Sequence, residues 1–384
     1  MAKFFKKSVE KGLNAMFLRV LSPKNNGKDN KVVPDLLLDD ERILYLPTTD
    51  AGSKCDWTFK SKDVALNDED SFPSLENTLN EDLKNVFFIH GFYESVDSMS
   101  VRNVLNVDTI KDCGRELTTN QTSIGMVCLE TPLRRKNKFL NNIYICYCKV
   151  GYLERGDHNV LLLDWSVVGR LNYLQDYIYL KNIAERASKA LQSMERLGLI
   201  RQEDLHIVGN SMGAHLAALV ARNLGSVRRL TGLDPAGPLF KWKIIRNSEI
   251  CKNDATFVDI IHTAMSRFGM RGKCGDVDFY PNGGLCFQPG CKRSYSLSVL
   301  DSKRLCSHWR CWRYFVESLT REDAFLAAAA DSWEDFKKGN TRDVIPMGYC
   351  TPPDSSGSYF LQTSDRSPYG KGEDGLKYTD VTCK

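Results

Sequence analysis

Long hydrophobic runs are missing from this sequence of 384 residues: no apolar stretch approaches the ~20 residues of a bilayer span, so no transmembrane segment is expected. Charge of one sign is scarce too. Lys and Arg number 52 against 48 Asp and Glu, an excess of +4 that is too small to argue for nucleic acid. The 13 cysteines are many, but they lack the CxxC pairs of a zinc site, Cys146 and Cys148 standing one residue apart. Their number fits disulfides and an extracellular protein, with at least one thiol left over by the odd count. An apolar signal-peptide core is also missing between Met1 and Lys31, where Arg19 interrupts the longest stretch, Ala15 to Leu21. Either a leader lies outside this sequence, or export takes another route.

What is present reads as a globular chain, 42% hydrophobic and 26% charged, long enough for one large α/β domain or two ordinary ones. Residues 1–39 are expected to form a basic extension. Phe5, Val9, Leu13, Met16, Phe17 and Val20 share one helical face beside Lys3, Lys6, Lys7 and Lys11, as in a helix lying on an anionic membrane; a plain solvated extension is the favoured reading. From Asp40 the chain becomes foldable. Arg42 to Leu46 reads as a strand, followed by a polar connection to about Leu83. Val86 to Ile89 and Asn159 to Trp165 are unbroken apolar runs, as in strands buried on both faces. A long helical pattern covers Leu171 to Leu197, and shorter strands are expected at Leu205 to Val208, Arg229 to Leu233 and Phe257 to Ile261. Buried strands alternating with helices predict a mostly parallel central sheet with helices on both faces, in a single domain over 40–375 with a tail at 376–384. Residues 113–149 are too long for an ordinary connection and read as a surface insertion or as translated intron sequence.

The segment Gly209-Asn210-Ser211-Met212-Gly213 ends one apolar run and opens a helical pattern, as a serine held on a tight strand-to-helix turn would. Alone the five-residue pattern is weak, expected by chance in roughly one chain of this length in ten. A serine becomes nucleophilic when a histidine takes its proton and a carboxylate fixes that histidine's tautomer. On such folds the partners follow in the order serine, acid, histidine. Asp234 is the first well-placed acid, and His262 and His308 are the histidines downstream. His308, in a loop before a helix, suits a general base; His262, at a strand end, reads as structural. Asp259 and His206 are weaker alternates. Two backbone N–H groups are needed for the oxyanion, and Met212 and Phe92 can supply them.

Val86-Phe-Phe-Ile-His-Gly-Phe92, Asn159 to Trp165, Gly209 to His215, Gly232-Leu-Asp-Pro-Ala-Gly-Pro238, Val258 to Thr263, Asp278 to Gly284, Gln288 to Cys291 and Cys306-Ser-His308 occur together and in order. In this set the chain resembles the pancreatic-lipase family of α/β hydrolases, especially its single-domain insect members, over about Arg42 to Tyr369. The resemblance implies Ser211 as nucleophile, Asp234 as orienting acid, His308 as base, and Phe92 with Met212 as oxyanion hole. It also implies a Cys291–Cys306 disulfide closing a lid over 292–305. The activity implied is hydrolysis of lipid acyl esters, triacylglycerol or phospholipid at sn-1, at an interface and with peripheral contact to lipid surfaces. Yolk-type lipid-binding proteins on the same fold are the alternative. No cofactor and no metal are expected, the acidic cluster that binds calcium in some members being unmatched apart from Asp254. Asn210 and Met212 replace the usual His and Leu, and Ala330 and Thr341 stand where relatives tend to have a cysteine pair. Cys274 and Cys286 are candidates for an extra bridge.

Overall fold

In the computed structural model the apolar runs assemble into one sheet whose strands follow the order β11-β10-β12-β9-β8-β7-β6-β4-β5-β1-β3-β2. The structure describes residues 17–23, 41–46, 57–66, 69–76, 78–95, 98–105, 151–166, 168, 173–240, 248–265, 267–292 and 302–380. The strands are β1 (Phe17–Pro23), β2 (Glu41–Leu46), β3 (Trp57–Ala65), β4 (Lys84–Ile89), β5 (His158–Asp164), β6 (Leu205–Asn210), β7 (Arg229–Leu233), β8 (Phe257–Ile261), β9 (Val277–Pro281), β10 (Leu326–Ala329), β11 (Val344–Pro346) and β12 (Gly357–Leu361). From β5 across to β12 every neighbouring pair is parallel. The antiparallel strands lie at the two edges. Strands β5, β8 and β9 are buried at every position, which is why they read as continuous apolar runs rather than as alternation.

The helices are α1 (Met99–Leu105), α2 (Tyr152–Arg155), α3 (Tyr173–Arg196), α4 (Met212–Leu224), α5 (Ser302–Leu305), α6 (Arg310–Ser318) and α7 (Trp333–Lys337). Because side chains alternate across a strand, each central strand serves two cores. Phe87, Ile89, Leu161 and Ile207 pack with Leu180, Ile183, Leu216 and Val220 of α3 and α4. Val86, Phe88, Leu162 and Val208 pack on the other face with Val101 and Val104 of α1 and Trp312, Phe315 and Val316 of α6. The expected sheet covered on both faces is therefore present.

Several expectations at the edges are corrected. Phe17–Pro23, read as part of a solvated basic extension with an amphipathic helix as the alternative, is instead β1, antiparallel to both β5 and β3, with Leu18 opposite Leu163 and Val64. Leu18 is buried there, so part of residues 1–39 belongs to the sheet. Pairing with two strands satisfies the backbone on both sides, and that outweighs a local helical spacing. The polar connection before Leu83 contains β3 and a short helix of the 3₁₀ type at Glu69–Leu75. Trp57 to Ala65 lacks an unbroken apolar run because β3 lies near the sheet edge, paired with β1 and β2. The start of the tail is fixed as well: Thr379 N donates to Gln362 Oε1 at 2.8 Å. Residues 1–16, the segment 113–149 expected to be an insertion or intron sequence, and residues 381–384 lie outside the described residues.

Asp176 on α3 is fully buried, and neither carboxylate oxygen has a hydrogen-bond partner among the described residues. Burial pushes its carboxyl up to about 7. An unfolded aspartate titrates near ~3.9, so between about pH 4 and 7 the folded state holds a proton that the unfolded state has lost. Stability falls across that window as pH rises and stays low above it. Asp176→Asn is expected to raise stability on the order of 1–3 kcal/mol at pH 8 and little at pH 5, read by thermal unfolding at both pH values. A gain that is larger at pH 5 would contradict this account.

Candidate active site

Strand β6 ends at Asn210 and α4 begins at Met212, which leaves Ser211 alone at the corner with φ 56° and ψ −119°. A non-glycine residue in that region costs of order 1–3 kcal/mol and persists where its surroundings enforce it. They do so through two glycines. A Cβ on Gly209 would sit 2.4 Å from Gly213 O and 2.5 Å from the Ala214 Cα; one on Gly213 would sit 2.3 Å from His90 O. The strand, the helix and the end of β4 thus meet backbone to backbone. Ser211 N donates to Leu233 O at 2.9 Å, and Ala236 N donates to Ser211 O at 3.2 Å, tying the corner to the end of β7.

Asp234 follows β7 directly. Its Oδ1 accepts from Thr263 N at 2.8 Å and Ala264 N at 3.0 Å, beyond the end of β8. Its Oδ2 faces His308 Nδ1 at 2.5 Å, and His308 Nε2 faces Ser211 Oγ at 2.8 Å. A carboxylate only accepts, so Nδ1 carries the ring proton and Nε2 is left to accept from the serine hydroxyl. Asp234 is fully buried, His308 nearly so, and Ser211 half-buried. Such a line can draw a proton from Oγ while the buried carboxylate stabilises the imidazolium that forms.

Neither Phe92 N–H nor Met212 N–H donates to a backbone acceptor among the described residues. Met212 opens α4, where unused N–H groups and the helix dipole favour negative charge. The loop carrying Phe92 is held from below. Trp165 Nε1 donates to His90 O at 3.0 Å and its ring stacks on that of His90, 12° from parallel. His90 Nε2 lies 3.6 Å from Asp164 Oδ1. Burial alone would raise the Asp164 carboxyl, but the neighbouring His90 ring and hydrogen bonding from Ser166 outweigh it and hold the group down at about 2.

Cys291 and Cys306 form a disulfide with Cα atoms 5.7 Å apart. Of the enclosed segment, 293–301 lies outside the described residues. Its base is fixed from the His308 side: Ser307 Oγ accepts from Phe287 N at 2.9 Å and Gln288 N at 3.0 Å. The Gln288 side chain is buried and bonded to Pro281 O, Asn282 and Tyr314.

Sequence candidates not drawn into this arrangement are engaged elsewhere. His262 Nε2 bonds Asp278 Oδ1 at 2.8 Å and its ring stacks on Tyr280. Asp259 takes Arg229 at 2.8 and 3.0 Å and the Thr231 hydroxyl at 2.8 Å, while His206 Nε2 also meets Thr231. Asp254 is ion-paired with Arg222. Ligand-type atoms of His262, Cys274 and Asp278 come within 4.8 Å of one another. The Asp278 carboxylate is already occupied there by His262 Nε2, Cys274 N and Gly275 N. The candidate Cys274–Cys286 bridge is not formed: Cys274 Sγ faces Asp278 at 3.8 Å and Cys286 Sγ faces Ala264 O at 4.0 Å. Two groups escaped the sequence reading. Cys311 Sγ donates to His308 O at 3.0 Å, and burial followed by the nearby Asp234 charge pushes its thiol up. Glu94 lies under the Phe92 loop, and an acid three positions past Gly91 was the sole signal for it.

A protein-family model described as Lipase matches residues 66–369. Human pancreatic lipase-related protein 2 is 34% identical over 196 residues, covering 47% of this chain and 41% of the relative. Human pancreatic lipase-related protein 3 is 30% identical over 247 residues, covering 57% and 52%. Lipase member H-B of Xenopus laevis is 33% identical over 208 residues, covering 51% and 43%. The chain spans about half the length of these curated relatives.

Proposed function

The chain belongs to the lipase family, with the α/β-hydrolase fold, and from that premise we propose that it is a serine carboxylic-ester hydrolase acting on lipid acyl esters. One observation carries the reading: the unbroken hydrogen-bonded line from Ser211 Oγ through His308 to Asp234. Ser211 Oγ attacks the ester carbonyl as His308 Nε2 takes its proton. The N–H groups of Phe92 and Met212 receive the oxyanion. His308 then protonates the leaving alcohol, and the acyl-serine is hydrolysed by a water that the same imidazole activates. No metal or cofactor has a step in this sequence. A lipid-binding protein without chemistry has no use for the strained Ser211 or for the paired His308.

The substrate class proposed is triacylglycerol, or phospholipid cleaved at sn-1. Tyr93, Met99, Leu285 and Phe287, each about half exposed, lie in the oxyanion loop, at the start of α1 and at the base of the Cys291–Cys306 segment. They give the site an apolar rim for contact with a lipid surface. No helix among the described residues is long and apolar enough to cross a membrane. The disulfide supports an extracellular location. The full-length protein is expected to release nitrophenol from p-nitrophenyl butyrate, and fatty acid from triolein or from phosphatidylcholine labelled separately at its two acyl chains. Failure to cleave any of the three esters would end the reading.

A further inference from the structure

Glu94 gathers three donors from three separate pieces of chain around the candidate oxyanion loop. Its Oε2 accepts from Gly91 N at 2.6 Å and from Asn210 Nδ2 at 3.1 Å, and its Oε1 accepts from Ser100 Oγ at 2.6 Å. Gly91 immediately precedes Phe92, Asn210 immediately precedes Ser211, and Ser100 lies in the first turn of α1. One side chain therefore ties the peptide next to one proposed oxyanion donor to the residue next to the nucleophile. The fit around that peptide is close: a Cβ on Gly91 would lie 3.0 Å from Glu94 Oε2, 3.2 Å from Ser211 Cβ and 3.3 Å from Asn210 O. Asn210 is buried, and its orientation is set at both ends, because Oδ1 faces the Cys311 thiol at 3.6 Å while Nδ2 donates to Glu94.

A carboxylate so near a centre where negative charge develops opposes catalysis electrostatically. Its presence calls for a gain of another kind. Resting on the ester-hydrolase reading above, we propose that Glu94 is a positioning residue that fixes the Phe92 N–H against the serine corner, so that the oxyanion hole is assembled before substrate arrives. Asn210, which stands where the resembling family usually has histidine, is the counterpart that lets this acid bridge the loop and the corner.

The test is the hydrolysis of a soluble ester, p-nitrophenyl butyrate, by the full chain. Glu94→Ala is expected to lower kcat by about 10²–10³-fold, the usual effect of losing one oxyanion donor, with KM changed less than about threefold. Glu94→Gln keeps an acceptor for Gly91 N and Asn210 Nδ2 and presents its amide N–H to Ser100 Oγ, so it recovers most of that loss. Asn210→Ala removes one of the three donors and lowers kcat by a smaller factor; added to Glu94→Ala it costs less than the product of the two single effects. If Glu94→Ala does not fold, Glu94→Gln and Asn210→Ala still decide. A kcat for Glu94→Ala or Asn210→Ala within threefold of the unmodified protein, or a Glu94→Gln variant as slow as Glu94→Ala, would overturn the inference. An unmodified protein that cleaves no ester strikes the hydrolase reading itself, so the two failures are distinguishable.

Discussion

Ser211→Ala is expected to reduce kcat on p-nitrophenyl butyrate by about 10⁶-fold, the scale on which removal of a triad serine acts in this chemistry. The size follows from the local architecture. Ser211 is half-buried at a corner held by two close backbone approaches, with His308 Nε2 2.8 Å from its oxygen. No other hydroxyl is recorded against that nitrogen among the described residues. Alanine at this corner leaves the Phe92 and Met212 N–H groups in place, so binding and oxyanion stabilisation retain about 10³–10⁴ over water. The folded state should be no less stable, since β6, α4 and both glycines are unchanged. Two measurements check this: kcat, and mass spectrometry after treatment with a fluorophosphonate ester, which should label the unmodified protein at Ser211 and leave the variant unlabelled. A variant with more than a hundredth of the original kcat would give the nucleophile's role to another group.

Asp234→Asn is expected to lower kcat by about 10⁴-fold with little change in stability. The reason lies in the two oxygens. Asp234 Oδ1 accepts from two backbone donors, Thr263 N and Ala264 N, so an asparagine will place its carbonyl there. That puts the amide NH₂ where Oδ2 now faces His308 Nδ1. Nδ1 must then accept, the ring proton moves to Nε2, and Nε2 can no longer take the proton of Ser211. Geometry survives while the tautomer is wrong. Turnover of the soluble ester and the melting temperature, measured together, separate this from unfolding. A stable variant within tenfold of the original kcat would assign the orienting acid elsewhere.

The central sheet is legible in the sequence because its strands are buried on both faces: Val86 to Ile89, Asn159 to Leu163 and Phe257 to Ile261 can afford no polar residue on either side except one with a partner. The edges are not. β1 carries apolar residues at helical spacing and becomes a strand through pairing with β5 and β3, which lie far away in the chain. β3 is hidden in a polar segment for a related reason, since a strand next to the sheet edge need not be uniformly apolar. At the site, Gly209 and Gly213 mark the corner because a Cβ at either would strike backbone, and chain order points to Asp234 and leaves His262 and His308 as the histidines downstream. Their loop and strand-end settings already favour His308 over His262 as the base, and the ring contacts agree: His308 meets Ser211, while Asp278 occupies His262.

Sequence by itself determined the chemistry on offer and where it falls in the chain: a serine at a strand end between two glycines, an acid at the next strand end, a histidine in a loop past a cysteine, and apolar runs spaced for a parallel sheet. These are local facts, carried by residue type and spacing. Tertiary structure alone decided which groups converge. Distances such as Ser211 Oγ to His308 Nε2 span 97 positions of sequence, and the Glu94 bond to Asn210 spans 116. It also decided that Phe17–Pro23 is a strand and that Cys274 and Cys286 stay apart. The physical reason is the same in each case: hydrogen-bond partners and burial are set by the packing of remote segments, which local spacing does not encode.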